Sequence, residues 1–132
     1  MRHVLVIDDD ASVRTFLRVL LETNGFTVSE AASGAQGMET FRRSPAHLVI
    51  TDIIMPGQDG YETCFQLKQK YRDVKIIAIS GGDFVRPGKY LSLAHGIGVD
   101  RVFTKPFKTD ELIAAVRELT ATVKTPPEPH PS

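Results

Sequence analysis

The sequence lacks net charge, long apolar runs and all but one cysteine. Lysine plus arginine and aspartate plus glutamate number 16 each in 132 residues, a formal net charge of zero. That balance gives no electrostatic footprint for nucleic acid and no attraction to an anionic membrane. No apolar run approaches a membrane span, and no signal-peptide pattern opens the chain. The single cysteine, Cys64, excludes an intramolecular disulfide and suits a reducing compartment. Its helix-like surroundings read as core rather than as a reactive thiol. A chain of this length fits one domain around one core. The expectation is a soluble, cytoplasmic domain.

What is present is an alternation. Apolar runs of strand length fall at 3–7, 26–30, 48–51, 74–79 and 101–104, with helical patterns between them. Val13, Phe16, Leu17, Leu20 and Leu21 share one helical face, and Asn24-Gly25 supplies a stop. Residues 33–43 read as a weaker helix, interrupted by Gly37 but carrying Ala35, Met38 and Phe41. Tyr61, Cys64, Phe65 and Lys68 keep helical spacing after Asp59-Gly60, and Pro87 opens a fourth helix through Tyr90, Leu91 and Ala94. A last helix starts at Thr109 as N-cap, with Leu112, Ile113, Val116, Leu119 and Val123 facing inward. Strand–helix alternation with short links implies a parallel sheet covered on both faces. Residues 125–132, TPPEPHPS, read as a Pro-rich, frayed tail outside a domain at 1–124. A P-x-x-P ligand is the weaker reading of that tail.

Right-handed crossovers place the carboxyl ends of all strands on one edge, where open α/β sheets bind ligands. The first strand ends in Asp8-Asp9-Asp10, the third in Asp52, the fourth in Ser80-Gly81-Gly82 and the fifth in Lys105-Pro106. Two like charges about 4 Å apart repel by roughly 4 kcal/mol at an effective dielectric near 20. Asp8, Asp9 and Asp52 therefore require compensation, and one of them should hold its proton unusually tightly when nothing is bound. Lys105 cancels one charge; a divalent cation cancels two. Oxygen ligands with room for water favour Mg²⁺. Such a pocket suits a phosphoryl group held by the metal, Lys105, the Ser80 hydroxyl and the Gly81 N–H, with Asp52 as nucleophile.

The segments VLVIDDD (4–10), VITDIIMPGQDG (49–60), IIAISG (76–81) and VFTKPF (102–107) resemble, in order and spacing, the receiver domain of two-component response regulators. The resemblance spans essentially residues 2–123. It implies a flavodoxin-like, doubly wound five-stranded sheet of order 2-1-3-4-5 with five helices. It also implies residue roles. Asp52 resembles the phosphoacceptor and Asp9 the direct magnesium ligand, with Asp8 acting through water and the Ile54 carbonyl completing the set. Ser80 resembles the switch hydroxyl and Lys105 the lysine that binds the phosphoryl group, its bond to Pro106 being cis. The implied partners are a histidine kinase or phosphotransfer protein and a downstream protein target, with neither nucleic acid nor membrane. No output domain follows in this sequence, and the expected state is a monomer or weak dimer.

The sequence also departs from that pattern. Val102 stands where the family usually has an aromatic, and strand alternation sends Phe103 to the opposite face. Phe84 or Tyr90, in the long glycine-rich stretch after Ser80, is the candidate to fill the vacant space. Ile54 and Gly82 bring no side-chain hydrogen bond to an attacking water, so slow loss of the phosphoryl group is expected. His3, His47 and His95 are expected to have no neighbouring Cys or His and read as ordinary structural or surface residues. Arg86, Lys89, Arg101 and Lys108 make either a solvated face or a protein-docking one. Two other functions compete with the phosphoacceptor. A haloacid-dehalogenase-type phosphohydrolase would use LVIDDDAS, with Asp8 as nucleophile and Asp10 as acid/base. The other is a receiver scaffold that is never phosphorylated.

Overall fold

Residues 2–53, 60–71, 73–81 and 98–129 are described by a computed structural model, with the backbone alone at 60, 61, 80 and 81. Their order is β1 (His3–Ile7), α1 (Ala11–Thr23), β2 (Thr27–Ala31), α2 (Gly34–Arg43), β3 (Leu48–Asp52), α3 (Gly60–Lys70), β4 (Lys75–Gly81), β5 (Arg101–Lys105) and α4 (Thr109–Ala121). All strand pairs are parallel and the sheet order is β2-β1-β3-β4-β5. The sheet and its order are those the resemblance implies. The helix expected from Pro87 lies outside the described residues.

Strand alternation divides the core into two faces. Leu5, Ile7, Val49, Ile76 and Ala78 pack with Phe41 of α2 and Cys64 and Leu67 of α3. Val4, Val6, Leu48, Ile50, Ile77 and Ile79 pack with Leu17 and Leu21 of α1 and Leu112 and Val116 of α4. Both faces are covered, which is why the strands read as near-continuous apolar runs rather than alternating ones.

Element ends differ from the sequence reading for local reasons. Phe26 precedes β2, because its N–H donates to the Leu21 carbonyl at the end of α1 and the ladder starts only at Thr27. Val74 likewise donates to the Tyr71 carbonyl in a turn before β4. At the other edge β3, β4 and β5 run further than expected, so Asp52, Gly81 and Lys105 are themselves ladder residues. Helix α2 begins at Gly34, capped by Ser33, whose Oγ accepts from Gln36 N–H at 3.1 Å. Thr109 is not the cap of α4 but its first residue; Lys108 takes the cap position, and Asp110 and Glu111 complement the helix dipole. Phe16, which shares the apolar face of α1 by its spacing, and Phe65 of α3 are about half exposed, at 50% and 53%. The buried stripe of α1 is centred on Leu17 and Leu21 instead.

At the amino-terminal edge, His47 Nδ1 accepts from His3 N–H at 3.0 Å, and His47 N–H donates to the His3 carbonyl at 2.8 Å. The His3 ring contacts Thr27 Oγ1 and Ser29 Oγ, each at 2.7 Å. These two histidines are thus structural, but they are neighbours of one another, contrary to expectation, because adjacent parallel strands β1 and β3 start side by side. Arg2 donates to the Val123 carbonyl beyond α4, and Pro126 and Pro127 of the following segment are half-buried. His95 lies outside the described residues.

Candidate functional site

Asp8 follows the last residue of β1, and Asp52 ends β3, the strand beside it. The register puts both at the carboxyl edge. Asp9 follows into the turn before α1. One carboxylate oxygen from each of Asp8, Asp9 and Asp52 lies within 4.8 Å of the others. Asp8 and Asp52 are buried and Asp9 is exposed. From β5, Lys105 Nζ reaches 3.5 Å from Asp8 Oδ2 and 3.4 Å from Asp52 Oδ2. The Lys105–Pro106 peptide is cis. Side chains from three strand ends thus converge as the sequence reading expected.

The local backbone explains their aim. Asp10 caps α1, its Oδ1 accepting from Ser12 N–H at 2.9 Å, and so stands apart from the metal-type cluster. Asp8 Oδ1 accepts from Asp10 N–H at 2.9 Å, which fixes the carboxylate against the turn. Asp8 N–H donates to the Ala31 carbonyl, extending the β1–β2 ladder. Thr51 is fully buried, and its Oγ1 donates to the Asp52 carbonyl at 3.0 Å.

The electrostatics follow from burial and crowding. Burial raises the pKa of Asp8, as do the neighbouring charges of Asp52 and Asp9, against the opposing effects of the Asp10 N–H and Lys105. Burial works most strongly against the Lys105 charge, yet Asp52 and Asp8 outweigh it, and the ammonium holds its proton above its ordinary range. Three carboxylates face one ammonium, so the charge balance leaves room for a further cation. The donors are all hard oxygens on fixed strand ends, partly open to water through Asp9, and they fit a divalent cation such as Mg²⁺.

The fold family is decided by comparison. The family model described as the response regulator receiver domain matches residues 4–117. The chain belongs to that family. Among curated relatives, the response regulator MprA of Mycobacterium ulcerans is 35% identical over 122 residues, covering 92% of this chain and 51% of the relative. The relative named "Probable transcriptional regulator ycf27" of Porphyridium aerugineum is 37% identical, covering 88% of this chain and 47% of the relative. The chain therefore spans about half the length of the curated relatives it matches. Among solved structures, the response regulator protein TrrA of Thermotoga maritima, in complex with Mg²⁺-BeF, aligns with a TM-score of 0.78 at 30% identity, covering 90% of this chain and 99% of that one. The receiver domain protein of Clostridium thermocellum aligns at 0.84 with 25% identity, covering 92% and 95%.

The receiver domain keeps the departures noted in the sequence. Val102 packs on the face of α2 and α3, whereas Phe103 packs on the other face and meets Phe107 edge-on at 6.4 Å. The Gly81 backbone pairs with Lys105 at the site edge. The Ser80 side chain, Ile54, Gly82, Phe84 and Tyr90 lie outside the described residues, as do Arg86 and Lys89. Arg101 pairs with Glu118 at 2.8 Å, and Lys108 is exposed. One residue that the sequence reading passed over is Arg14, whose Nη1 donates to the Asp8 carbonyl at 2.6 Å. Its position one turn past the acidic stretch was the available signal. A cavity of about 830 Å³ lies at the opposite edge, between Lys68–Lys75 and Thr122–Pro129, and shares no residue with the carboxylate cluster. Among the described residues, no helix is long and apolar enough to cross a membrane.

Proposed function

We propose that this receiver domain is a Mg²⁺-dependent phosphoacceptor that works as a protein switch. One observation carries the reading: the carboxylates of Asp8, Asp9 and Asp52 crowd within 4.8 Å while Lys105 Nζ stands within 3.5 Å of two of them. Asp8, Asp9, Asp52 and the Ile54 carbonyl would hold the cation, which supplies charge neutralisation for the incoming phosphoryl oxygens. An Asp52 carboxylate oxygen attacks phosphorus, the bond from phosphorus to the donor's leaving group breaks, and an acyl phosphate forms. Lys105 pairs with a phosphoryl oxygen, and the Ser80 hydroxyl and Gly81 N–H donate to others. Water later attacks phosphorus, returning Asp52 as carboxylate and releasing inorganic phosphate. The chain is accordingly a self-modifying acceptor with slow autodephosphorylation rather than an enzyme with turnover.

The proposed donor is a histidine kinase or a phosphotransfer protein, and the proposed output is an altered protein-binding surface, in a cytoplasmic setting. Residues 1–124 are the proposed folded unit, and the zero net charge of the full chain favours protein over nucleic acid or membrane as partner. The ycf27 relative's name indicates transcription, and the match covers 47% of that relative.

Labelled acetyl phosphate with Mg²⁺ tests the reading. The expected result is at most one phosphoryl group per chain, mapped to Asp52 and absent from Asp52→Ala. Continuous phosphate release that survives Asp52→Ala but is lost in Asp8→Ala would instead establish the phosphohydrolase reading.

A further inference from the structure

We propose that Arg14 is a positioning residue, holding the turn after β1 so that Asp8 and Asp9 present their carboxylates together to the cation. This rests on the cation-dependent reading above and deepens it.

The contacts form a tie across three elements. Asp8 turns its carboxylate toward the site, while its main-chain carbonyl accepts from Arg14 Nη1 of α1 at 2.6 Å. The same guanidinium pairs through Nε with Glu30 Oε1 of β2 at 3.4 Å. Glu30 also pairs with Arg18, one helical turn further along α1. The Arg14 and Glu30 side chains are only 18% and 24% exposed, so the pair is less screened than a surface one. With Asp8 N–H bound to Ala31, both the amide and the carbonyl of Asp8 are fixed, leaving its carboxylate little freedom to swing away from Asp9 and Asp52.

The chemistry selects arginine. A planar fork donates to a carbonyl with one nitrogen and meets a carboxylate with another, whereas a lysine ammonium acts as one point charge. Glu30 has a second effect. It neutralises the guanidinium, so the tie does not place an uncompensated positive charge behind a pocket that must accept a cation. Groups that orient metal ligands commonly matter for affinity even though they never touch the metal.

The test is a Mg²⁺ titration of the folded chain, followed by amide chemical shifts at a temperature well below unfolding. Arg14→Met and Glu30→Gln are each expected to weaken Mg²⁺ binding by about tenfold, with Arg14→Lys between them and wild type. Arg101→Gln, which breaks the distant Arg101–Glu118 pair, serves as the control and should keep the wild-type midpoint. A merely structural role would lower melting temperature without moving the Mg²⁺ midpoint. If Arg14→Met does not fold, Glu30→Gln decides. A wild-type midpoint in every folded Arg14 or Glu30 variant overturns the proposal while leaving the cation site intact. Absence of Mg²⁺ binding in wild type overturns the cation reading, and this proposal with it.

Discussion

Asp8 sets burial against charge within one side chain. It is 2% exposed, and its carboxyl holds a proton more tightly than usual, chiefly because of burial and then because of Asp52 and Asp9. A folded-state pKa above the unfolded one favours the fold below the unfolded value, and that contribution is lost as pH rises through the folded one. Without a cation, the contribution of Asp8 to stability is therefore lost on the alkaline side of its titration. Asp8→Asn should raise stability at pH 7 in EDTA, because it removes a buried charge that Asp52 and Asp9 repel. The gain should vanish in acid, and Mg²⁺ should stabilise the variant less than wild type. Thermal denaturation at both pH values with and without Mg²⁺ measures this; a less stable variant at pH 7 in EDTA would contradict it. Asp8, Asp9, Asp52 and Lys105 were legible in sequence because each carries its chemistry in its side chain at a strand end. Arg14 was not, because its partner there is a backbone carbonyl that no residue pattern displays.

At the scale of elements, the periodicity of apolar residues located every described strand and helix, while single positions within them escaped it. Gly37 reads as an interruption of α2, yet the helix runs unbroken from Gly34 to Arg43. Its role is close approach: a Cβ at Gly37 would lie 2.9 Å from Ile7 Cγ1 and nearer still to Cδ1. Ile7 is buried in β1 directly before Asp8, so its displacement would be felt at the site. Gly37→Ala should gain up to about 1 kcal/mol of helix propensity but lose about 1–3 kcal/mol to overpacking. The expected net effect is a lower midpoint in urea denaturation, and a raised midpoint would show that Ile7 yields freely. Phe16 shows the converse failure. Its spacing suits the apolar face of α1, but the stripe that touches the sheet is narrower than the face that spacing suggests. Helix α4 begins at the expected residue without the expected cap, since dipole complementation by Asp110 and Glu111 stands in for a side-chain cap.

At the scale of the whole molecule, the site follows from strand order. Placing β3 between β1 and β4, with β5 beyond, brings Asp8, Asp52 and Lys105 to one edge although they are far apart in sequence. That edge was legible because parallel βα units have one handedness and one carboxyl side. The amino-terminal edge was not, since contacts such as Arg2 with the Val123 carbonyl join the two ends of the chain. In the proposed mechanism the clustered carboxylates, a divalent cation and Lys105 act as one phosphoryl-binding unit. Calorimetric titration of beryllofluoride, a phosphoryl mimic, tests it most directly. One equivalent should bind in the presence of Mg²⁺, with binding lost in EDTA and in Asp52→Ala and weakened in Lys105→Met. Undiminished binding in EDTA or in Asp52→Ala would contradict the account.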